Sequence, residues 1–256
     1  MLSLLLIPII VCLWVALKKR LSFLGSVQFS CLGFALSVLF TIVTVYLLSG
    51  KDITTYILDD WKQFMQQNET YTVSFYAVMQ LMMGGAVNPQ ISVNDAMAAV
   101  WPYMQTSIIY GVPALFAALI PIGGLVTFLI GRAIVKTAGG RVTPVPAFAD
   151  FKLPVRFGRW SVIILIVCLI GAQFGWRNFD FVLIIAFAFF GSIYYVLGMA
   201  FMDWVLKKQI KSAVGRGFII ALMAIILFQL YIFTFLGLFE QLVKIRRRAN
   251  ANKVGL

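Results

Sequence analysis

Between residues 23 and 48 the chain carries no Lys, Arg, Asp or Glu, and this run exceeds the roughly 20 apolar residues that take an α-helix across a bilayer. A helix on the surface of a water-soluble domain must show a polar face, and this segment has none. Further apolar runs cover residues 2–17, 111–131, 160–176, 181–206 and 217–239. The pattern predicts an all-α integral membrane protein, one polytopic domain of about six transmembrane helices with amphipathic extramembrane helices between spans 2 and 3.

Composition agrees. Hydrophobic residues make up 62% and charged residues 12%, whereas a soluble domain has about 45–50% and about 25%. The net charge of +12 invites a nucleic-acid reading. However, Lys18, Lys19, Arg20, Arg132, Lys136, Arg141, Lys152, Arg156 and Arg159 all flank apolar segments, where cytoplasmic loops hold their Lys/Arg excess. The expected partner is therefore the lipid bilayer, not nucleic acid. Residues 2–17 have no basic residue before them and no small-residue cleavage site after them, so they read as a first, short span and not as a signal peptide. Cys12, Cys31 and Cys168 lie inside apolar runs without metal spacing and read as packing residues.

Residues 49–110 change character, with Lys51, Asp52, Asp59, Asp60, Lys62, Glu69 and Asp95, and read as an extramembrane excursion. Ile53, Tyr56, Ile57, Trp61, Phe64 and Met65 recur at helical spacing behind an Asp52 cap, with Asp59, Asp60, Gln63 and Gln66 on the other face. Residues 73–87 form an interfacial or re-entrant piece, and Ser92 with Asp95 reads as a capping box opening the helix towards span 3. Pro113 and Pro121 interrupt the hydrogen-bond ladder of that span, with a kink expected near Pro121. Residues 132–159, with Pro144, Pro146 and Pro154, read as a mostly non-helical, basic cytoplasmic loop, and residues 177–180 as a turn. With six spans this threading puts the basic tail, residues 244–256, outside, against the positive-inside rule. The conflict is removed if the tail is an exception, if residues 217–242 bend back, or if residues 2–17 do not cross.

The chain has no histidine, which removes a His-based acid, base or metal ligand. None of the carboxylates lies in the middle of a span, so a membrane-depth proton relay or aspartyl protease is not expected. Asp203 and Glu240, near helix ends, are the nearest candidates, and they read first as interfacial charges neutralised by Lys or Arg. No phosphate-cradling glycine loop occurs, and Asn68-Glu69-Thr70 is a glycosylation acceptor only in a secretory route. No catalytic residue, metal site or cofactor is expected. Ala114 with Ala118, Gly124 with Gly131, Gly171 with Gly175 and Gly191 with Gly198 sit at helix-packing spacing. Gln28, Ser30, Thr127, Gln173, Ser192, Tyr194, Tyr195 and Gln229 are polar positions within spans, read either as interhelical glue or as a cavity lining. Tyr46, Trp101, Tyr103, Tyr110, Phe174 and Trp176 are expected at the outer interface, as an aromatic belt or as the roof of a ligand pocket. Tyr46, Trp101, Tyr103, Tyr110, Gln173 and Trp176 are thus the candidate ligand-binding residues.

Gly131-Arg132-Ala133-Ile134-Val135-Lys136 followed by Pro144-Val145-Pro146-Ala147-Phe148-Ala149-Asp150-Phe151-Lys152-Leu153-Pro154 resembles the YybS-like family of bacterial multi-pass membrane proteins. In that family a loop of the type P-P-F-x-x-W-x-L-P joins two spans, and Phe151 here replaces the Trp. Leu236-Gly237-Leu238-Phe239-Glu240 ahead of Arg246-Arg247-Arg248 is similar to its L-G-L-x-D ending, with Glu240 for Asp. The resemblance runs over about residues 93–248. It implies a bacterial cytoplasmic membrane and a fold like the substrate-binding components of energy-coupling-factor transporters and like the rod-shape protein MreD. Ala114 and Ala118 are similar to the small-residue motif with which such components dock a partner, although on the third span instead of the first. With Arg132, Phe151 and Arg156 they make up the candidate partner-docking set. The expectation is a non-catalytic transport component for a small hydrophobic or aromatic solute, entering from the outer side, or else an assembly factor of the cell envelope.

Overall fold

The computed structural model describes residues 6–19, 21–86, 88, 90–142, 144–226 and 231–246. Those residues form nine α-helices: α1 (Ile7–Lys18), α2 (Phe23–Ser49), α3 (Ile53–Gln67), α4 (Glu69–Met82), α5 (Val93–Thr137), α6 (Val155–Gln173), α7 (Phe179–Leu206), α8 (Ala213–Ile226) and α9 (Ile232–Val243). A 3-10 turn, Phe148–Asp150, interrupts the loop between α5 and α6. Four helices, α2, α5, α6 and α7, are long and apolar enough to cross a membrane, in place of the six spans expected. The first expected span is α1, whose 12 residues reach about 18 Å at 1.5 Å per residue, short of a hydrocarbon core of about 30 Å; residues 2–5 lie outside the described residues.

The chain divides into two compact units, Val38–Leu115 and the rest, Met1–Ser37 with Phe116–Leu256. In the first of these, α3 begins where Asp52 accepts hydrogen bonds from the Thr54 and Thr55 amides, each at 3.0 Å. The capped helix buries Met65 against Tyr76, Ala96 and Val100, and the Thr72 hydroxyl of α4 donates to the Met65 carbonyl at 2.7 Å. Tyr56, Trp61 and Phe64 remain exposed. The re-entrant piece expected at residues 73–87 falls on α4, which ends at Met82; Val87 lies outside the described residues. Ser92 opens α5, accepting from the Asp95 amide at 3.2 Å and donating to the Asp95 carboxylate at 2.7 Å.

In the larger unit α7 is the central helix. The Ser161 hydroxyl of α6 pairs with the Tyr194 hydroxyl of α7, and α9 packs along α7 through glycine. A Cβ on Gly198 would strike the Phe233 carbonyl, and one on Gly237 would strike the Tyr194 carbonyl, so the two backbones touch where side chains are missing. Gly124 meets the backbone of Cys31 in the same manner, and Gly131 faces Leu13.

The expected sixth span is not one helix. Arg216 on α8 pairs with Asp203, and the Tyr195 hydroxyl donates to the Ala224 carbonyl at 3.1 Å, so α8 runs antiparallel to α7. On α9, Thr234 reaches Gly191, Gly237 meets Tyr194 and Arg246 lies over Phe201, so α9 runs parallel to α7. The chain therefore reverses between residues 226 and 232, and Tyr231 takes a left-handed φ of 50° at the start of α9. Residues 227–230, Gln229 among them, lie outside the described residues. The bend-back alternative is the one the contacts support. It returns Lys244 to the end that carries Lys207, Lys208 and Arg216.

The loop expected over residues 132–159 is shorter than that. Arg132 and Lys136 are on the last turns of α5, because no glycine or proline stops the helix before Gly139, whose φ is 78°. Arg156 and Arg159 belong to α6, which starts directly after Pro154. Neither Pro113 nor Pro121 ends α5, which continues over 45 residues. Arg247, Arg248 and the rest of the tail lie outside the described residues.

Candidate functional site

Two features of the larger unit combine shape with polar groups. The first is a cleft of about 310 Å³. Helix α2 lines it with Leu24, Val27, Gln28 and Cys31, α5 with Pro121 and Leu125, the connecting loop with Phe151, Leu153 and Pro154, and α6 and α7 with Phe157, Phe189, Ile193 and Val196. The walls are almost wholly hydrocarbon and aromatic. Their placement follows from the loop: Phe151 is held edge-on to Phe23 at a ring separation of 5.4 Å, while Leu153 is buried against Tyr194 and Leu197. Flexing of this loop is opposed by Gln241, whose amide donates to the Pro154 carbonyl at 3.0 Å.

The second is a buried ion pair next to that loop. Arg246 donates from Nε and Nη2 to the two Glu240 oxygens, both at 2.9 Å, and from Nη1 to the Ala149 carbonyl at 2.9 Å. Its side chain is 0% exposed, so the desolvation of both charges is met by a two-pronged pair and one further acceptor. Asp203 is likewise engaged by Arg216 at 2.6 Å, whose Nη1 also donates to the Ile210 carbonyl at 3.0 Å. Both carboxylates singled out in the sequence are thus neutralised by arginine.

The expected ligand-binding residues are distributed differently. Tyr46, Trp101, Tyr103 and Tyr110 belong to the smaller unit, Gln173 and Trp176 to the larger one, and none of the six lines the cleft. Tyr103 and Trp176 are 55% and 53% exposed, Trp101 lies under the Lys62 ammonium at 5.9 Å, and Trp176 meets Phe179 edge-on. Of the docking set, Phe151 lines the cleft. Arg156 is exposed on α6, whereas Arg132, Ala114 and Ala118 are half-buried on α5. Val27, Leu125, Phe157, Phe189 and Ile193 carried no sequence signal, because an apolar residue in an apolar span looks the same whether it faces lipid, a neighbour or a cavity. Gln28 did stand out, as a polar residue within a span.

Among the described residues no group of His, Cys, Asp or Glu is placed to hold a metal ion. No curated protein matches the chain, and no solved structure does. The apolar helices do agree with a family model described as "Predicted membrane protein (DUF2232)", which matches residues 3–240. That range covers nearly the whole chain, and the chain belongs to this family of predicted membrane proteins.

Proposed function

We propose that the chain is a non-catalytic membrane protein that holds a small hydrophobic or aromatic solute, as the binding component of a transport system in a bacterial cytoplasmic membrane. The observation that supports this is the cleft: about 310 Å³ is at the lower end of the range of about 300–1,000 Å³ typical of ligand pockets. Its walls come from four helices and one anchored loop. The solute site is then the α2–α5–α6–α7 cleft instead of the outer aromatic set. The test is organic extraction of the full chain, purified in mild detergent, followed by mass spectrometry. One compound is expected to co-purify with the wild type. Val27→Trp and Leu125→Trp, which fill the cleft from two different helices, lower its occupancy by at least about tenfold, a change of about 1.4 kcal/mol. A wild type that carries no bound compound overturns the reading.

An assembly role in the cell envelope is the second reading, supported by the exposed Phe148 and Arg156 beside the basic loop. Crosslinking from Phe148 in the intact membrane, capturing a cell-envelope protein while no solute is bound, favours it over the first.

A further inference from the structure

Asp60, Trp61 and Phe64 together line a shallow hollow of about 290 Å³ on α3. Helix positions three and four apart are surface neighbours, so Phe64 adjoins both Trp61 and Asp60. The Trp61 and Phe64 rings stand 5.6 Å apart at 79° to each other, two walls of a corner whose third side is a carboxylate. The corner is held in place by its neighbours. Met65, the next residue, is buried against Tyr76 and Val100, and Tyr71 at the start of α4 meets Phe64 edge-on at 5.3 Å. All of these residues belong to the smaller unit.

Charge at the hollow is unbalanced. Lys51 gives its ion pair to Asp59 at 2.6 Å, and Asp60 adds to the negative field at the same ammonium, so one lysine answers two carboxylates. Lys62 lies over the Trp101 ring at 5.9 Å, and among the described residues no cation pairs with Asp60. An aromatic face attracts a cation through its quadrupole, and a carboxylate attracts the same cation through its charge. Acyl chains suit the two rings but strip Asp60 of its water. A hard metal ion suits Asp60 and leaves the rings unused, because it takes oxygen ligands. An ammonium group carrying alkyl substituents uses all three walls.

We propose that this corner binds an organic ammonium group, with Asp60 as its counter-charge and Trp61 and Phe64 as its aromatic walls. The hollow shares no residue with the cleft described above, and the inference stands independently of the solute reading. The ammonium comes either from a free small cation or from the headgroup of a zwitterionic lipid, and the two sources separate in the test.

The test is fluorine NMR of the full chain labelled with fluorotryptophan, in maltoside micelles, with the Trp61 line identified by its loss in Trp61→Phe. Choline is expected to move that line with half-saturation in the millimolar range, whereas its neutral carbon isostere, dimethylbutanol, requires at least about fivefold more. Asp60→Asn and Phe64→Leu, both at exposed positions, each raise the half-saturating choline concentration by about two- to fivefold, while the other tryptophan lines stay where they are. In lipid discs, a Trp61 line already displaced by phosphatidylcholine, and released by Asp60→Asn, supports the inference with a lipid headgroup as the source. A line that ignores phosphatidylcholine but still follows added choline supports it with a free cation as the source. No movement of the line with choline in either setting overturns the inference. An equal response to dimethylbutanol overturns it too, because the corner then reads apolar bulk and not charge. A choline response untouched by both Asp60→Asn and Phe64→Leu overturns it as well, since the cation then sits elsewhere.

Discussion

Gly198 and Gly237 show how much rests on an absent side chain. Each presents its backbone to a carbonyl of the facing helix, Gly198 to Phe233 and Gly237 to Tyr194, so a methyl group at either site forces backbone against backbone. Gly198→Ala is expected to cost about 1–3 kcal/mol, the range for overpacking a tight contact, read as a lowered unfolding midpoint in detergent. Gly191→Ala has far more room, because the nearest atom, a Thr234 methyl, is 3.9 Å from its Cβ position, and is expected to be close to neutral. Charge is equally position-dependent. Glu240→Gln strands a fully buried guanidinium and is expected to destabilise by about 3–5 kcal/mol. Glu240→Met combined with Arg246→Met removes both charges, and is expected to be milder than Glu240→Gln alone in the same measurement.

Among the elements, α3 has the clearest start signal. The Asp52 carboxylate is held below its ordinary value of 3.8, first by the Thr55 hydroxyl and then by the Thr55 and Thr54 amides. A carboxylate with a lowered pKa stabilises the folded state above its unfolded value, and that contribution is lost as pH falls through the folded value. Amide exchange at the first turn of α3 is therefore expected to quicken on acidification below the ordinary aspartate range. Asp52→Ala removes the cap at every pH, at about 0.5–2 kcal/mol, and flattens that dependence. The α8–α9 pair makes a different prediction. Its reversal places Lys211 and Lys244 at one face of the bilayer. Cysteines introduced at the two positions, in a background lacking Cys12, Cys31 and Cys168, are expected to react with an impermeant maleimide from the same side in sealed vesicles. Labelling from opposite sides refutes the reversal.

At the scale of the molecule, lipid as solvent was legible from residues 23–48 and from the spacing of the charge clusters, since a chain with so few charges has no polar coat. Helices α2, α6 and α7 lie close to their expected bounds for the same reason: long uncharged runs between clusters admit little else. The neutralised state of Asp203 and Glu240 also followed from sequence, because a charge at a helix end in a membrane needs a counter-charge. The reversal between α8 and α9 did not, as residues 217–239 are apolar throughout and composition alone does not tell a crossing from a hairpin. That choice was made by glycine contacts and by two arginines reaching back to α7 and to the loop. The cleft was decided in the same way: which apolar side chains face a hollow depends on how four helices and a proline-bracketed loop meet. Hydropathy counts what each residue avoids, and only packing determines what each residue finds instead.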